Sequence, residues 1–201
     1  MINEKSPIHE RFNHLYKVIS SERFLQMQGL GNEVPFFICP FMPEDNVDMQ
    51  RQIIRLVNQL DQHGISVLRI DLYDLIVEIL KSEGIWEKIL EIEKKTSKDR
   101  LKETLQGVLD TEKYLIPAIV EKMKQVNFDV LFLTGVGEVF PYIRSHNVLN
   151  NLQSKAKDEP TILFFPGEYT FTKEGGASLD LFGRLHDDKY YRAFNIFHWE
   201  V

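Results

Sequence analysis

The chain has 201 residues, of which 43% are hydrophobic and 27% are charged, a composition typical of a globular protein and unlike that of a disordered or coiled-coil chain. A formal net charge of −6 opposes a role as a general binder of nucleic-acid backbones, because that role needs a basic face. Cys39 is the only cysteine, which excludes an internal disulfide and a multi-cysteine zinc site and predicts a reducing compartment.

The length predicts one domain over residues 1–201, since single domains commonly have about 100–200 residues. Residues 1–11 mix charged residues with proline and lack the apolar core of a signal peptide. No apolar run approaches the ~20 residues that a membrane-spanning helix requires. We therefore expect a cytoplasmic protein without a membrane partner.

The first third of the chain predicts two buried strands joined by a helix. Residues 34–41 are a short apolar run flanked by proline, which is typical of a fully buried strand. Apolar residues then recur at helical spacing as far as His63 and Gly64, and residues 65–72 form the second predicted strand. This unit is about as long as a right-handed parallel crossover, ~30 residues, so we expect a mostly parallel sheet.

Helical periodicity dominates the middle of the chain. Asp74 is expected to cap a helix over residues 75–81. Residues 85–125 carry helical spacing without a strand-like run, which predicts a helical insertion between the second and third strands. The third strand is predicted over residues 128–134, and one helix over residues 139–152 follows it.

The last part of the chain predicts two more strands. Residues 161–165 form the fourth, which we expect to end at Pro166 and Gly167, and residues 170–178 form a polar loop or lid beyond it. Residues 190–199 alternate like a strand at one edge of the sheet. The predicted fold is α/β, a single three-layer domain with a mostly parallel sheet of about five strands.

A glycine-containing turn is the most suggestive local motif. Gly135, Gly137 and Glu138 follow the third strand, where backbone N–H groups of a parallel sheet often face a ligand crevice. No Gly-Lys-Ser/Thr follows, the third glycine of a dinucleotide fingerprint is missing, and Glu138 puts a carboxylate where a phosphate would bind. A structural turn and an anion site both stay open, and we expect no cofactor.

Polar residues in the following helix are further candidates for binding. Arg144 is a candidate partner of Glu138 or Asp71, and Asn147 lies in the same polar cluster. His146 would be a general base only beside a nucleophile, so a structural role is the alternative. The six histidines are dispersed without paired spacing, so no metal site is predicted.

Two later segments complete the candidate surface. Gly167, Glu168 and Tyr169 lie where the fourth strand is expected to end. An aromatic and arginine-rich segment follows, and such residues are favoured at interfaces, although core packing would also explain it. Its candidates are Arg184, Tyr190, Tyr191 and Arg192.

Five stretches, in this order and at this chain length, resemble one protein family. They occupy residues 29–34, 71–75, 132–147, 164–169, and 181–185 together with 190–194. Together they resemble the BrxB family of bacterial BREX phage-defence systems from about residue 9 to the C-terminus, and Thr-Gly-Val-Gly-Glu-Val-Phe-Pro in the third is the most specific. The resemblance implies an intracellular role in restricting phage alongside an ATPase, a DNA methyltransferase and the alkaline-phosphatase-like protein PglZ. It supplies no catalytic residues.

The expected function is therefore that of a non-enzymatic binding or assembly subunit that docks on another BREX protein, PglZ above all. A homodimer stays open. The alternative is an enzyme that binds a nucleotide or phosphoester at the glycine turn, with Glu138 and His146 as its acid and base.

Overall fold

The computed structural model describes residues 2–30, 33–172, 176–183, 185–188 and 193–200. The α-helices are α1 (Ile8–Ile19), α2 (Glu22–Leu25), α3 (Asn46–Gln62), α4 (Leu72–Ser82), α5 (Trp86–Lys95), α6 (Lys98–Val108), α7 (Ile116–Gln125), α8 (Val136–Val139) and α9 (Ser145–Leu152). The strands are β1 (Phe36–Phe41), β2 (Val67–Asp71), β3 (Val130–Thr134), β4 (Thr161–Thr172), β5 (Gly176–Leu181), β6 (Leu185–Asp188) and β7 (Phe194–Asn195).

Five of these strands form a parallel sheet in the order β2-β3-β4-β1-β7. β1 therefore lies inside the sheet, next to the edge strand β7, and both of its neighbours, β4 and β7, come from the far end of the chain. Beyond the parallel part, β4 pairs with β5, and β5 pairs with β6, both antiparallel. The predicted α/β class, with a mostly parallel sheet of about five strands, is confirmed.

Helices cover both faces of the sheet because its strands are apolar on both sides. In β1, Phe37 and Cys39 face the layer formed by α1, α2 and α3, while Phe36 and Ile38 face the layer formed by α4 to α9. The same alternation continues in β3 and β4. The three predicted layers are thus present, and each face of the sheet has its own apolar cluster.

The helical insertion between the second and third strands consists of α4 to α7 and a π-helical turn at Thr111–Leu115. The predicted helix start at Asp74 is wrong. Asp71 is the N-cap, because its carboxylate accepts hydrogen bonds from the backbone N–H groups of Tyr73 and Asp74 at 3.0 and 3.3 Å. The helix therefore begins where β2 ends, without an intervening loop.

The single helix predicted over residues 139–152 is also wrong, because two helices occupy this region. α8 ends at Val139, and α9 begins at Ser145. Pro141, which follows a cis peptide bond from Phe140, lies in the interval. A proline lacks the N–H that a helix interior uses, so a continuous helix cannot pass through this position without a break.

Pro166 and Gly167 do not end the fourth strand, contrary to the prediction. They mark a change of partner, since Phe41 of β1 is in register with Pro166, and Gly167 is in register with Leu181 of β5. The expected polar loop over residues 170–178 is instead mostly part of the β4 and β5 hairpin, and residues 173–175 lie outside the described residues. We call β5, β6 and the β4 segment from Gly167 the antiparallel arm.

The fifth predicted strand lies at the sheet edge as expected but is much shorter than residues 190–199. β7 has two residues, and Ile196–His198 form a 3-10 turn whose Ile196 and Phe197 are buried against the α1 layer. Tyr190, Tyr191 and Arg192 lie outside the described residues, as does Arg184. Within the described parts of the chain, no helix is long and apolar enough to cross a bilayer.

Candidate functional site

The carboxyl ends of β1 and β3 and the end of the parallel part of β4 meet at one edge of the sheet and enclose a crevice of about 250 Å³. The chain after β1 turns into α3 on one face of the sheet, and the chain after β3 turns into α8 on the other. Such a divergence of connections is where open α/β sheets commonly bind ligands. This strand-end crevice is lined by Phe41, Pro43, Asn46, Met49, Gln50, Ile53, Thr134, Gly135, Val136, Gly137, Glu138, Phe164, Pro166 and Phe182.

Gly135 has a structural reason to be glycine. Its φ of 77° lies in the left-handed region, and a Cβ atom at this position would lie 2.6 Å from Oδ1 of Asp71. The same carboxylate accepts a hydrogen bond from the Thr134 hydroxyl at 2.8 Å and lies 3.7 Å from the Arg69 guanidinium. Gly135 thus lets the end of β3 approach the cap of α4.

Gly137 is needed for close packing across the crevice. A Cβ atom there would lie 2.9 Å from Cγ of Pro166 and 3.0 Å from Cε1 of Phe182. Gly137 is the second residue of α8, which has only four residues. Both glycines of the predicted turn are therefore explained by contacts within the protein, which favours the structural alternative over the anion site.

Glu138 gives the crevice a polar end that is negatively charged. Its side chain hydrogen-bonds to Asn46 at the start of α3. Burial raises the pKa of Glu138, and the charges of Asp71 and Asp74 raise it further, while the Asn46 hydrogen bond and the charge of Arg69 oppose the rise. A phosphate at this end would face carboxylates.

Replacing Glu138 by glutamine is expected to stabilise the protein at neutral pH. Because the pKa is raised above its ordinary value of 4.5, the folded state favours the protonated carboxyl. This contribution is fully present below pH 4.5 and is lost as the pH rises through the raised pKa. Glu138→Gln should therefore melt at a higher temperature than the wild type at pH 7, and the difference should shrink towards pH 4. Thermal unfolding between pH 4 and 8 measures it; parallel curves for the two proteins would contradict the expectation.

Phe182 forms part of the crevice wall and is held in an unusual backbone conformation. Its φ of 57° and that of Gly183, 64°, are both positive, and the two residues lie in the turn between β5 and β6. The Phe182 ring packs edge-on against Phe140, and 37% of the residue stays exposed. A bulky residue at positive φ costs backbone energy, and such outliers concentrate at functional sites.

Arg11 supports the wall of the crevice from behind. The guanidinium is 3% exposed and forms a 2.5 Å ion pair with Asp45, the residue before Asn46. It also lies 3.8 Å from the sulfur of Met49, which lines the crevice. The pair joins α1 to the turn that leads from β1 into α3.

The predicted polar cluster of α9 does not join this site. Arg144 and Asn147 are exposed and line a separate polar pocket of about 360 Å³, together with residues of α6 and the π-helical turn. The ion pair predicted for Arg144 with Glu138 or Asp71 is wrong, because Asp71 pairs with Arg69. His146 belongs to α9 and is 2% exposed.

The residues at the root of the antiparallel arm have distinct environments. Gly167 and Glu168 line a shallow depression beside Phe182, and Glu168 lies 3.6 Å from the ammonium of Lys5. The Tyr169 hydroxyl donates a hydrogen bond of 2.6 Å to the carbonyl of Ala193, and burial raises the pKa of Tyr169 to about 12. Tyr169 therefore ties the arm to the chain that enters β7.

Sequence reasoning missed several residues of the site, namely Asn46, Arg69, Thr134, Phe182 and the pair of Arg11 with Asp45. Asn46 follows Pro43, Glu44 and Asp45, and such a run is typical of a helix start, so its local sequence indicates capping rather than a site. The others make contacts that are distant in sequence. Within the described residues, no group of three or more histidine, cysteine or acidic side chains is arranged to hold a metal ion.

Comparisons with known proteins agree on one family. The chain matches the family model of BREX protein BrxB over residues 68–196. It is similar to a BREX protein BrxB of Bacillus cereus (strain H3081.97), with 34% identity over 192 residues that cover 94% of this chain and 97% of that protein. A BREX protein BrxB of Escherichia coli O9:H4 (strain HS) is 27% identical over 187 residues, 92% of this chain and 90% of that protein. No solved structure matches significantly.

Proposed function

Because the chain belongs to the BrxB family of BREX proteins, we propose that it acts as a non-enzymatic assembly subunit that docks on another BREX component, PglZ first. The docking surface is the carboxyl edge of the parallel sheet with the antiparallel arm. The C-terminal candidates Arg184, Tyr190, Tyr191 and Arg192 belong to the same proposal on their sequence alone. We place the complex in the cytoplasm, where Cys39, which is buried and free, would stay reduced.

The observation that carries this proposal is the apolar rim of the strand-end crevice. We define the apolar rim as Phe182, which lines the crevice, together with Val47 and Ile54, which lie next to the lining residue Gln50 on α3; they are 37%, 62% and 49% exposed. Large apolar side chains grouped around a concave site are typical of surfaces that another protein covers. Exposed aromatic residues contribute strongly to such interfaces.

The alternative function, a nucleotide or phosphoester enzyme, is less well supported by the geometry. Small-molecule sites commonly have volumes of about 300–1,000 Å³, whereas this crevice has about 250 Å³. Its polar end carries Glu138 near Asp71 and Asp74, which would repel a phosphate. His146, the other proposed acid-base group, is buried in α9 and does not line the crevice. A thermal-shift screen with ATP, GTP and NAD tests this function, because a ligand at about 100 times its Kd adds about 2.7 kcal/mol of stability.

Co-expression of a tagged chain with its genomic neighbours tests the assembly role. We expect stoichiometric co-elution with PglZ or another BREX component in size-exclusion chromatography with mass detection. The same run reports whether the free chain is a monomer or a homodimer. A chain that elutes alone at moderate salt, with no component retained, would contradict the proposal and make the ligand screen decisive.

A further inference from the structure

The strand-end crevice combines an apolar interior with an acidic end. Its interior walls are the side chains of Phe41, Ile53, Phe164 and Phe182. A cavity of about 150 Å³ is known to hold benzene, so about 250 Å³ is enough for one large aliphatic or aromatic side chain. The interior therefore fits a single apolar anchor rather than an extended ligand.

The acidic end would favour a cation beside that anchor. Glu138 lines the crevice, and the carboxylates of Asp71 and Asp74 act on it electrostatically, while Arg69 acts in the opposite direction. Arg69 already pairs with Asp71. A lysine or arginine next to the apolar anchor would thus gain an opposite charge in a partly desolvated place, where charge pairs are stronger than in water.

The apolar surface continues from the crevice along α3. Val47 and Ile54 are seven residues apart and so lie on one side of the helix. They adjoin Asn46, Gln50 and Ile53, which line the crevice. A short segment that fills the crevice would therefore lie against α3 as well.

We infer that the strand-end crevice receives a short segment of the partner protein, in which one large apolar side chain enters the crevice and an adjacent lysine or arginine pairs with Glu138. This inference rests on the proposed assembly role and names the chemistry of its partner. The occupant is a different protein rather than a second copy, because this chain has a net charge of −6 and a second copy would oppose its own acidic surface.

Two substitutions remove the proposed contacts while keeping the fold. Phe182→Asn deletes the aromatic wall, and asparagine adopts a positive φ more readily than phenylalanine, so the variant should fold at least as well as the wild type. Glu138→Gln removes the charge and is expected to be stabilising at pH 7. Weak binding by either variant therefore cannot be ascribed to unfolding, and circular dichroism and thermal melting verify this.

A third substitution has a matched control. Ile54→Gln removes an apolar side chain of the rim that is 49% exposed, and Val126→Gln removes one that is 50% exposed at the end of α7, outside the crevice. The two wild-type residues, Ile54 and Val126, are almost equally exposed, so the two substitutions differ in their position on the protein rather than in burial. Only the rim variant should affect docking.

The affinity of each purified variant for PglZ, or for whichever BREX component the wild type retains, decides the matter. We expect Kd to rise at least tenfold for Phe182→Asn and Glu138→Gln and severalfold for Ile54→Gln, with Val126→Gln unchanged. An array of overlapping peptides that covers the partner sequence should bind best where a large apolar residue adjoins lysine or arginine.

The outcomes separate the two proposals. A wild-type chain that retains no component overturns the assembly role. Retention with unchanged Kd for Phe182→Asn, Glu138→Gln and Ile54→Gln overturns this inference and leaves the assembly role standing. A wild-type homodimer that Phe182→Asn dissociates would show that a second copy fills the crevice, which also overturns the inference.

Discussion

Asp45→Ala is expected to lower the free energy of unfolding by about 3 kcal/mol, because it leaves the buried guanidinium of Arg11 without a carboxylate. Arg11→Met should cost much less, about 1 kcal/mol, although it breaks the same ion pair. The reason is asymmetry of burial: the Arg11 side chain is 3% exposed and that of Asp45 is 34% exposed. Water can solvate a lone Asp45, and a methionine keeps most of the apolar stem of Arg11.

Urea unfolding of the two single variants and the double variant measures this difference. The double variant should be about as stable as Arg11→Met alone, because removing Asp45 matters only while the buried charge is present. Equal losses in the two single variants would contradict the argument. The affinity of these variants for the partner protein is a second measurement, because the Arg11–Asp45 pair holds the turn that supplies Asn46 and Met49 to the crevice.

Gly167→Ala should destabilise the protein by about 2 kcal/mol and loosen the root of the antiparallel arm. A Cβ atom at Gly167 would overlap the backbone carbonyl oxygen of Asp180, and backbone cannot move aside as a flexible side chain does. It would also lie 2.9 Å from the ring of Phe165. Hydrogen exchange should rise in β5 and in the part of β4 that pairs with it.

Gly107→Ala serves as the control for that substitution. Gly107 lies in α6, and a Cβ atom there would have no neighbour within 4 Å. Alanine favours a helix over glycine, so this variant should gain about 0.5 kcal/mol. Equal behaviour of the two glycine variants in urea unfolding would show that the contact at Asp180 carries no strain.

Local patterns were sufficient to predict the layers of this fold. The apolar runs that became β1 and β3 were identified within two residues at each end, because a strand buried on both faces is recognisable from composition alone. The helical insertion also followed from periodicity. The boundaries failed where one residue has two roles, as Asp71 does in ending β2 and capping α4.

The errors at prolines have a common physical origin. Pro166 and Gly167 are typical of a strand end, yet β4 continues because Gly167 accommodates a new antiparallel partner that is distant in sequence. The single helix predicted over residues 139–152 ignored Pro141. The rule that proline breaks a helix interior would have predicted the two helices correctly. A proline thus predicts that a regular element is interrupted. Contacts with residues distant in sequence decide whether the element ends there or continues with a new partner.

The site was predictable only in outline. Its position after the third strand followed from the general rule for parallel sheets, and Glu138 was correctly placed beside the glycine turn. The role of the glycines was left open, and only the distances to Asp71 and Phe182 favour packing. Arg69, Thr134 and Phe182 reach the site through pairings of strands that no local pattern encodes.

The strand order has a consequence for the biosynthesis of the chain. β1 is complete at residue 41, but its neighbour β4 begins at residue 161 and β7 follows at residue 194. At about 5–20 residues per second, synthesis from residue 41 to residue 161 takes roughly 6–24 s. During that interval the six residues of β1, all buried in the finished protein, have neither strand neighbour. A nascent chain in this state is exposed to aggregation, and a product truncated before residue 161 would keep β1 unpaired.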